Sequence, residues 1–247
     1  MSRILTREEW RRKRRRIRRL FIAVIISLFL LILFVSILII GSIVKTDKGQ
    51  GESNILHKLQ GQLLGYNNDG IETIDPALLQ GMEIQQDYLT PNEYSRPQTP
   101  LYGIDGIVIH YTANPGTTAA NNRSYFEGLA TTHATSVSSH YIVGLEGEVI
   151  QCIPLTEISY ASNDRNNDTV AIECCIPDET GKFNDATYTS AVALTAALCV
   201  QFNLKEEDII RHYDVTGKCC PKYFVEHEDS WQTFKADVMA EVETIRP

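Results

Sequence analysis

The run LFIAVIISLFLLILFVSILIIGSIV, Leu20 to Val44, constrains this chain more than any other feature: 25 residues without a charge, broken only by serine and glycine. A helix of that length rises further than the roughly 30 Å hydrocarbon core of a bilayer, so the run reads as a transmembrane anchor with room for tilt. It exceeds the roughly 7–15 apolar residues of a signal-peptide core, and no A-x-A-like cleavage site follows it. A cleaved export signal is the competing reading. Residues 1–19 hold ten Lys/Arg against two Asp/Glu, a local balance of +8, and such a cluster keeps its end of a span in the cytoplasm. The expected product is a single-pass protein of the cell membrane with an extracytoplasmic C-terminal part. The remaining 228 residues carry −16 to give the chain's −8. That balance argues against nucleic acid as a partner and against charge-driven adhesion to anionic wall polymers.

Residues 45–83 are polar and Gly-rich, with short apolar patches at ILHKLQGQLL and PALL. They read as an extracytoplasmic stalk whose role is reach. Residues 84–247 alternate strand-like and helix-like segments. GIVIHYT, from Gly106, predicts a buried strand closed by the turn formers ANPG, and NNRSYFEGLATT predicts a helix. SHYIVG and GEVIQCIP predict a hairpin around LEGE. TVAIECCI predicts a further strand and FNDATYTSAVALTAALCVQFNL a helix with an acidic start. DIIRHYDV reads as a last strand and SWQTFKADVMAEVETI as a closing amphipathic helix. The fold class expected is α/β, a single mixed sheet flanked by helices, preceded by the transmembrane helix and the stalk.

Six histidines and six cysteines are present. His110 ends one predicted strand and His212 sits at the end of DIIRH, so both can project from neighbouring strand ends into one cleft. Cys220 follows His212 by eight residues, beyond a DVTGK turn that can fold the chain back. Two imidazoles and a thiolate leave a fourth tetrahedral position open, the pattern of a catalytic zinc site. Spacing alone leaves open that these are hydrogen-bonded structural residues. His57, His133 and His227 read as stalk, loop and surface residues. In an exported domain cysteines also invite disulfides. Cys174 and Cys175 point to opposite faces of a strand, and Cys175 with Cys199 is the pairing expected.

Five blocks in order resemble the zinc-dependent N-acetylmuramoyl-L-alanine amidases, the superfamily that also holds peptidoglycan recognition proteins. GIVIHYTAN resembles the family's first ligand strand, and SSHYIVGLEGEVIQCIP its S-x-H-[YF] strand and hairpin. ISYASND occupies the place of its AWHAG segment; NDTVAIE resembles N-x-SIGIE, and RHYDVTGKCCP resembles the closing H-x-D-x(2)-GK-x-[CD]-P block. The resemblance covers about Met82 to Pro247. It implies Zn2+ held by His110, His212 and Cys220, with Cys220 favoured over Cys219 because the family ligand directly precedes the proline. It implies Glu173 as general base and Lys218 beside the substrate carbonyl. Ser139, Tyr160 and Asn163 are expected along the substrate groove, and His140, at a strand start, as groove wall or core. Ser139 stands where some members carry a tyrosine, which gives Glu173 more weight, and no histidine occupies the WHAG position.

The implied reaction is hydrolysis of the amide between N-acetylmuramic acid and the first L-alanine of the peptide stem, with peptidoglycan or muropeptides as partner, for wall remodelling or lysis. Zinc suits it by activating water and polarising the carbonyl. A non-catalytic peptidoglycan receptor on the same fold and a released lytic enzyme of phage origin are the alternatives; the filled Cys220 and Glu173 positions favour an enzyme.

Overall fold

Strand β2 (Gly106–Tyr111) is buried along all but its last residue, and β5 (Thr169–Cys174) along all but Glu173. Strands covered on both faces lose the in-out alternation and read as continuous apolar runs, as GIVIH and TVAI do. In the computed structural model of the chain, the described residues are Asn68 and residues 70–246. The basic tail, the Leu20–Val44 run and most of the expected stalk lie outside them. Among the described residues no helix is long and apolar enough to cross a membrane.

Among the described residues six strands form one sheet. With β1 (Ile84–Gln86), β3 (Tyr141–Val143), β4 (Val149–Gln151) and β6 (Ile209–Arg211), the order is β1-β4-β3-β5-β2-β6. Only β3 and β4, the expected hairpin, pair antiparallel; the other four pairings are parallel. The sheet is therefore mixed. Helix α1 (Ala119–Thr132) covers one face. Its Ala119 and Phe126 join Ile142, Ile150, Cys152 and Cys175 in one apolar cluster. Helices α2 (Asp185–Phe202) and α5 (Glu228–Ile245) cover the other. There Leu194, Leu198, Phe202, Phe234 and Val238 pack with Ile107, Ile109, Val170 and Ile172. Each such fully buried side chain contributes about 1.5–3 kcal/mol.

Two expectations change here. DIIRHYDV is a strand only to Arg211; α3 (His212–Thr216) then begins, and a second short helix, α4 (Lys222–Glu226), follows it. The switch is local chemistry. Asp214 Oδ2 accepts the Arg211 backbone N–H at 2.8 Å, a helix-start contact, and Gly217 at φ 77° ends the turn in the left-handed region. The Cys175–Cys199 pairing is also corrected: all six cysteines are free thiols. Cys175 belongs to the cluster on the α1 side and Cys199 to the cluster on the α2 side, so the sheet separates them.

Residues 70–83, assigned to the stalk by composition, lie on the domain. Ile74 is 1% exposed within the main core, with Ile71, Leu78, Leu79 and Met82 packed beside it. Asn68 Nδ2 donates to the carbonyls of Leu101 and Leu155 at 3.1 and 2.5 Å. The packed body thus begins at or before Asn68.

Candidate metal centre

Parallel pairing in register puts His110 of β2 beside Glu173 of β5. On the other side of β2, Ile109 pairs with Arg211, so His212, the next residue of that chain, emerges next to His110. The two imidazoles meet edge to face, with centroids 4.8 Å apart and an interplanar angle of 61°. Cys220 returns to them because the GK turn after α3 reverses the chain and the Tyr213 N–H donates to the Cys220 carbonyl at 2.9 Å. The peptide bond from Cys220 to Pro221 is cis.

One ligand atom from each of His110, His212 and Cys220 lies within 4.8 Å of the others, and all three residues are buried. Cys220 Sγ stands 3.8 Å from His110 Nδ1. A tetrahedral zinc ion with bonds of about 2.0–2.1 Å to nitrogen and 2.3 Å to sulfur sets its N and S ligands about 3.6 Å apart, so the donor set fits that ion. Burial, His212 and Lys218 together hold His110 well below the usual imidazole range. Burial and Lys218 lower His212 as well. Both rings are thus neutral, the form that ligates. Burial pushes the Cys220 thiol up to about 12, with Glu173 adding to the rise and Lys218 opposing it. A cation bound there would reverse that by taking the thiolate.

Glu173 stands out as an acid at the end of a buried strand. Its Oε2 is shielded from solvent and has no hydrogen-bond partner among the described residues. Burial pushes its carboxyl up to about 8, with Lys218 pulling the other way. A shielded carboxyl oxygen without a partner costs stability, and such a group with raised proton affinity in a cleft is a candidate functional position. Lys218 is exposed at the rim, close enough for its charge to act on His110, His212, Glu173 and Cys220 together.

The residues expected in the groove divide. Ser139, expected in the groove, and His140, expected as groove wall or core, are both fully buried. The Ser139 hydroxyl bonds the Tyr141 and Ala171 carbonyls, both at 2.9 Å. His140 donates from Nε2 to the Glu157 carbonyl at 2.9 Å, while Nδ1 accepts the Ala171 N–H at 3.0 Å and faces Ser159 Oγ at 3.1 Å. A side chain saturated in this way has nothing left for a ligand. Tyr160 is half-buried against the main core. Asn163 is engaged with His212, its Oδ1 lying 3.0 Å from His212 Nε2.

Two residues near the centre escaped the sequence. Ser162, 1% exposed, sets its Oγ 3.1 Å from His110 Nε2. Arg211 is buried beside His212 and binds Asp214, Glu228 and the Phe224 carbonyl, anchoring the strand-to-helix switch. Only its position next to a ligand histidine hinted at that work. The expected surface histidines behave as read: His133 ends α1 in the left-handed region and stacks on Tyr94, and His227 is exposed at the start of α5.

Comparison with known proteins fits this geometry. A family model described as N-acetylmuramoyl-L-alanine amidase matches residues 98–223, about half of the chain. The chain is 34% identical over 170 residues to the N-acetylmuramoyl-L-alanine amidase CwlL of Bacillus licheniformis, an overlap of 64% of this chain and 47% of that protein. It is 32% identical over 176 residues to the N-acetylmuramoyl-L-alanine amidase BlyA of Bacillus subtilis, covering 63% and 46% respectively. The chain thus spans about half the length of the curated relatives it matches. Among solved structures, the catalytic domain of XlyA superposes with a TM-score of 0.52 at 28% identity, over 64% of this chain and 99% of that one. The structure of PlyL gives 0.54 at 26% identity, over 64% and 97%.

Proposed function

Given that the chain belongs to the N-acetylmuramoyl-L-alanine amidase family, we propose that it is a membrane-anchored, zinc-dependent hydrolase. It cleaves the amide between the lactyl carbonyl of N-acetylmuramic acid and the L-alanine of the peptide stem. The observation that carries this reading is the Glu173 carboxyl, in register with His110 and with its Oε2 shielded and partnerless among the described residues, beside the His110–His212–Cys220 set.

Held by those three residues, zinc would supply Lewis acidity for the carbonyl and for the attacking water. The chain's own groups do the rest. Glu173, ionised once a cation offsets the burial that raises its proton affinity, takes the proton of the water as the C–O bond forms. It returns that proton to the alanine nitrogen as the C–N bond breaks. The products are a free muramyl carboxylate and a stem peptide with a free amine. Lys218 at the rim faces the developing oxyanion, a contact of the kind worth about 3–4 kcal/mol in comparable sites.

In this reading residues 1–19 are a cytoplasmic tail, residues 20–44 the anchor and the segment after them an extracytoplasmic tether. The hydrophobicity of Leu20–Val44 and the basic cluster before it support that arrangement, which delivers the site to wall polymer. Full-length protein incubated with purified peptidoglycan is expected to release stem peptides beginning with L-alanine, to stop with a chelator and to resume with zinc. Binding without release would end the hydrolase reading, and release untouched by chelation would end the zinc reading. Recovery from the soluble fraction of expressing cells would end the anchor reading.

A further inference from the structure

We propose that Ser162 and Asn163 are positioning residues for the two metal-ligand histidines, Ser162 holding the His110 ring in place and Asn163 locking His212 in the ligating tautomer. The inference rests on the zinc reading above. Consecutive residues touch consecutive ligands. Ser162 Oγ lies 3.1 Å from Nε2 of His110, and Asn163 Oδ1 lies 3.0 Å from Nε2 of His212. A carboxamide oxygen only accepts, so the His212 proton sits on Nε2 and its Nδ1 lone pair is left open. For His110, Nε2 is engaged by the serine while Nδ1 faces Cys220 Sγ at 3.8 Å. His110 thus turns Nδ1 toward the thiol, His212 keeps Nδ1 as its open nitrogen, and neither ring can swing without breaking its hydrogen bond to this segment.

The segment is built to hold this pose. Asn166 Oδ1 accepts the backbone N–H groups of Ala161 and Ser162 at 3.1 and 2.6 Å, and the Asn166 N–H donates to the Asn163 carbonyl at 3.1 Å. Asn163 itself has φ 52°, a left-handed backbone that asparagine, aspartate and glycine tolerate best. Ser162 and His110 are 1% and 2% exposed, so water does not replace the serine if it is removed. Outer contacts of this kind set ligand orientation and affinity in metal sites generally. Asn163, expected from sequence to touch substrate, is committed to the ligand instead.

The backbone supplies its own control for the test. Asn163→Gly removes the oxygen and keeps the left-handed turn; Asn163→Asp keeps an acceptor there. In the full-length chain, Asn163→Gly and Ser162→Ala are expected to lose zinc affinity by about 10–100-fold in chelator competition, with the circular dichroism of the wild type. Asn163→Asp is expected to match the wild type or bind more tightly. In metal-free protein labelled with nitrogen-15 at histidine, His212 should be a single Nε2–H tautomer in the wild type and in Asn163→Asp, and a mixture in Asn163→Gly. Wild-type affinity and a single tautomer in Asn163→Gly would overturn the clamp and leave the zinc reading standing. A loss that Asn163→Asp shares in full would also overturn it, assigning the residue to the turn. A wild type that binds no zinc would overturn the zinc reading first, and the clamp with it.

Discussion

His110 and Glu173 are direct cross-strand neighbours in the parallel β2–β5 pair, one a neutral imidazole and the other a carboxyl raised to about 8. Their side chains share one face of the sheet, because register partners in parallel strands point the same way. A candidate metal ligand and a carboxyl of raised proton affinity are thus set side by side by backbone hydrogen bonds, without a loop between them.

The division of labour predicts that Glu173→Gln keeps its metal and loses turnover. The amide is nearly isosteric but cannot take a proton, so release of stem peptides should fall by about 100- to 10,000-fold. Zinc content by elemental analysis should stay at the wild-type level. Turnover within a few-fold of wild type would remove Glu173 from the reaction.

The same carboxyl makes metal-free stability depend on pH. Its folded value lies near 8 against an ordinary 4.5, so between those values the native state holds a proton that the unfolded chain has released. Stability from this group is complete below pH 4.5 and is lost as pH rises through about 8. Metal-free wild type should therefore lose a few kcal/mol of stability from pH 5 to pH 9 relative to Glu173→Gln, because each tenfold difference in proton affinity is worth about 1.4 kcal/mol. Denaturant melts in chelator read the difference; parallel pH profiles for the two proteins would mean that the carboxyl is not so buried.

The two adjacent cysteines should separate cleanly. Cys220 is buried in the ligand set and Cys219 is exposed, so Cys220→Ser should lose metal and activity together. Cys219→Ser should change neither. The comparison is read by zinc content and peptide release on the same preparations. An equal loss in both variants would move the assignment away from Cys220 alone.

His140 should behave as a core residue despite its chemistry. Burial lowers its imidazole to about 4, and its hydrogen bonds tie the β3 end to Glu157 and Ala171. His140→Ala should cost about 2–4 kcal/mol by leaving buried partners unsatisfied, seen as a lower denaturation midpoint. The folded fraction should retain its zinc and its peptide release; selective loss of release at unchanged stability would return His140 to the groove.

Much of this site was legible because it is written in short-range patterns. IVIH and IIRH end apolar runs at histidines, and a GK turn before a Cys-Pro pair returns a thiol to them. The order of strands and helices followed from periodicity for the same reason. The pattern could not resolve DIIRHYDV, where one Asp214 contact turned strand into helix after Arg211, nor residues 70–83, whose polar composition hid the core contact of Ile74.

By itself, then, the sequence determined the ligand candidates, the Glu173 position and the mixed α/β order, because each is carried by side-chain period and turn chemistry within a few residues. Only the tertiary structure decided that Cys175 and Cys199 lie on opposite sides of the sheet, that His140 is closed off, and that Ser162 and Asn163 stand on the two ligands. Those facts depend on strand register and on which connection crosses which face. They are relations between residues 17 to 52 positions apart in the hydrogen-bonded pairs concerned, which no local pattern encodes.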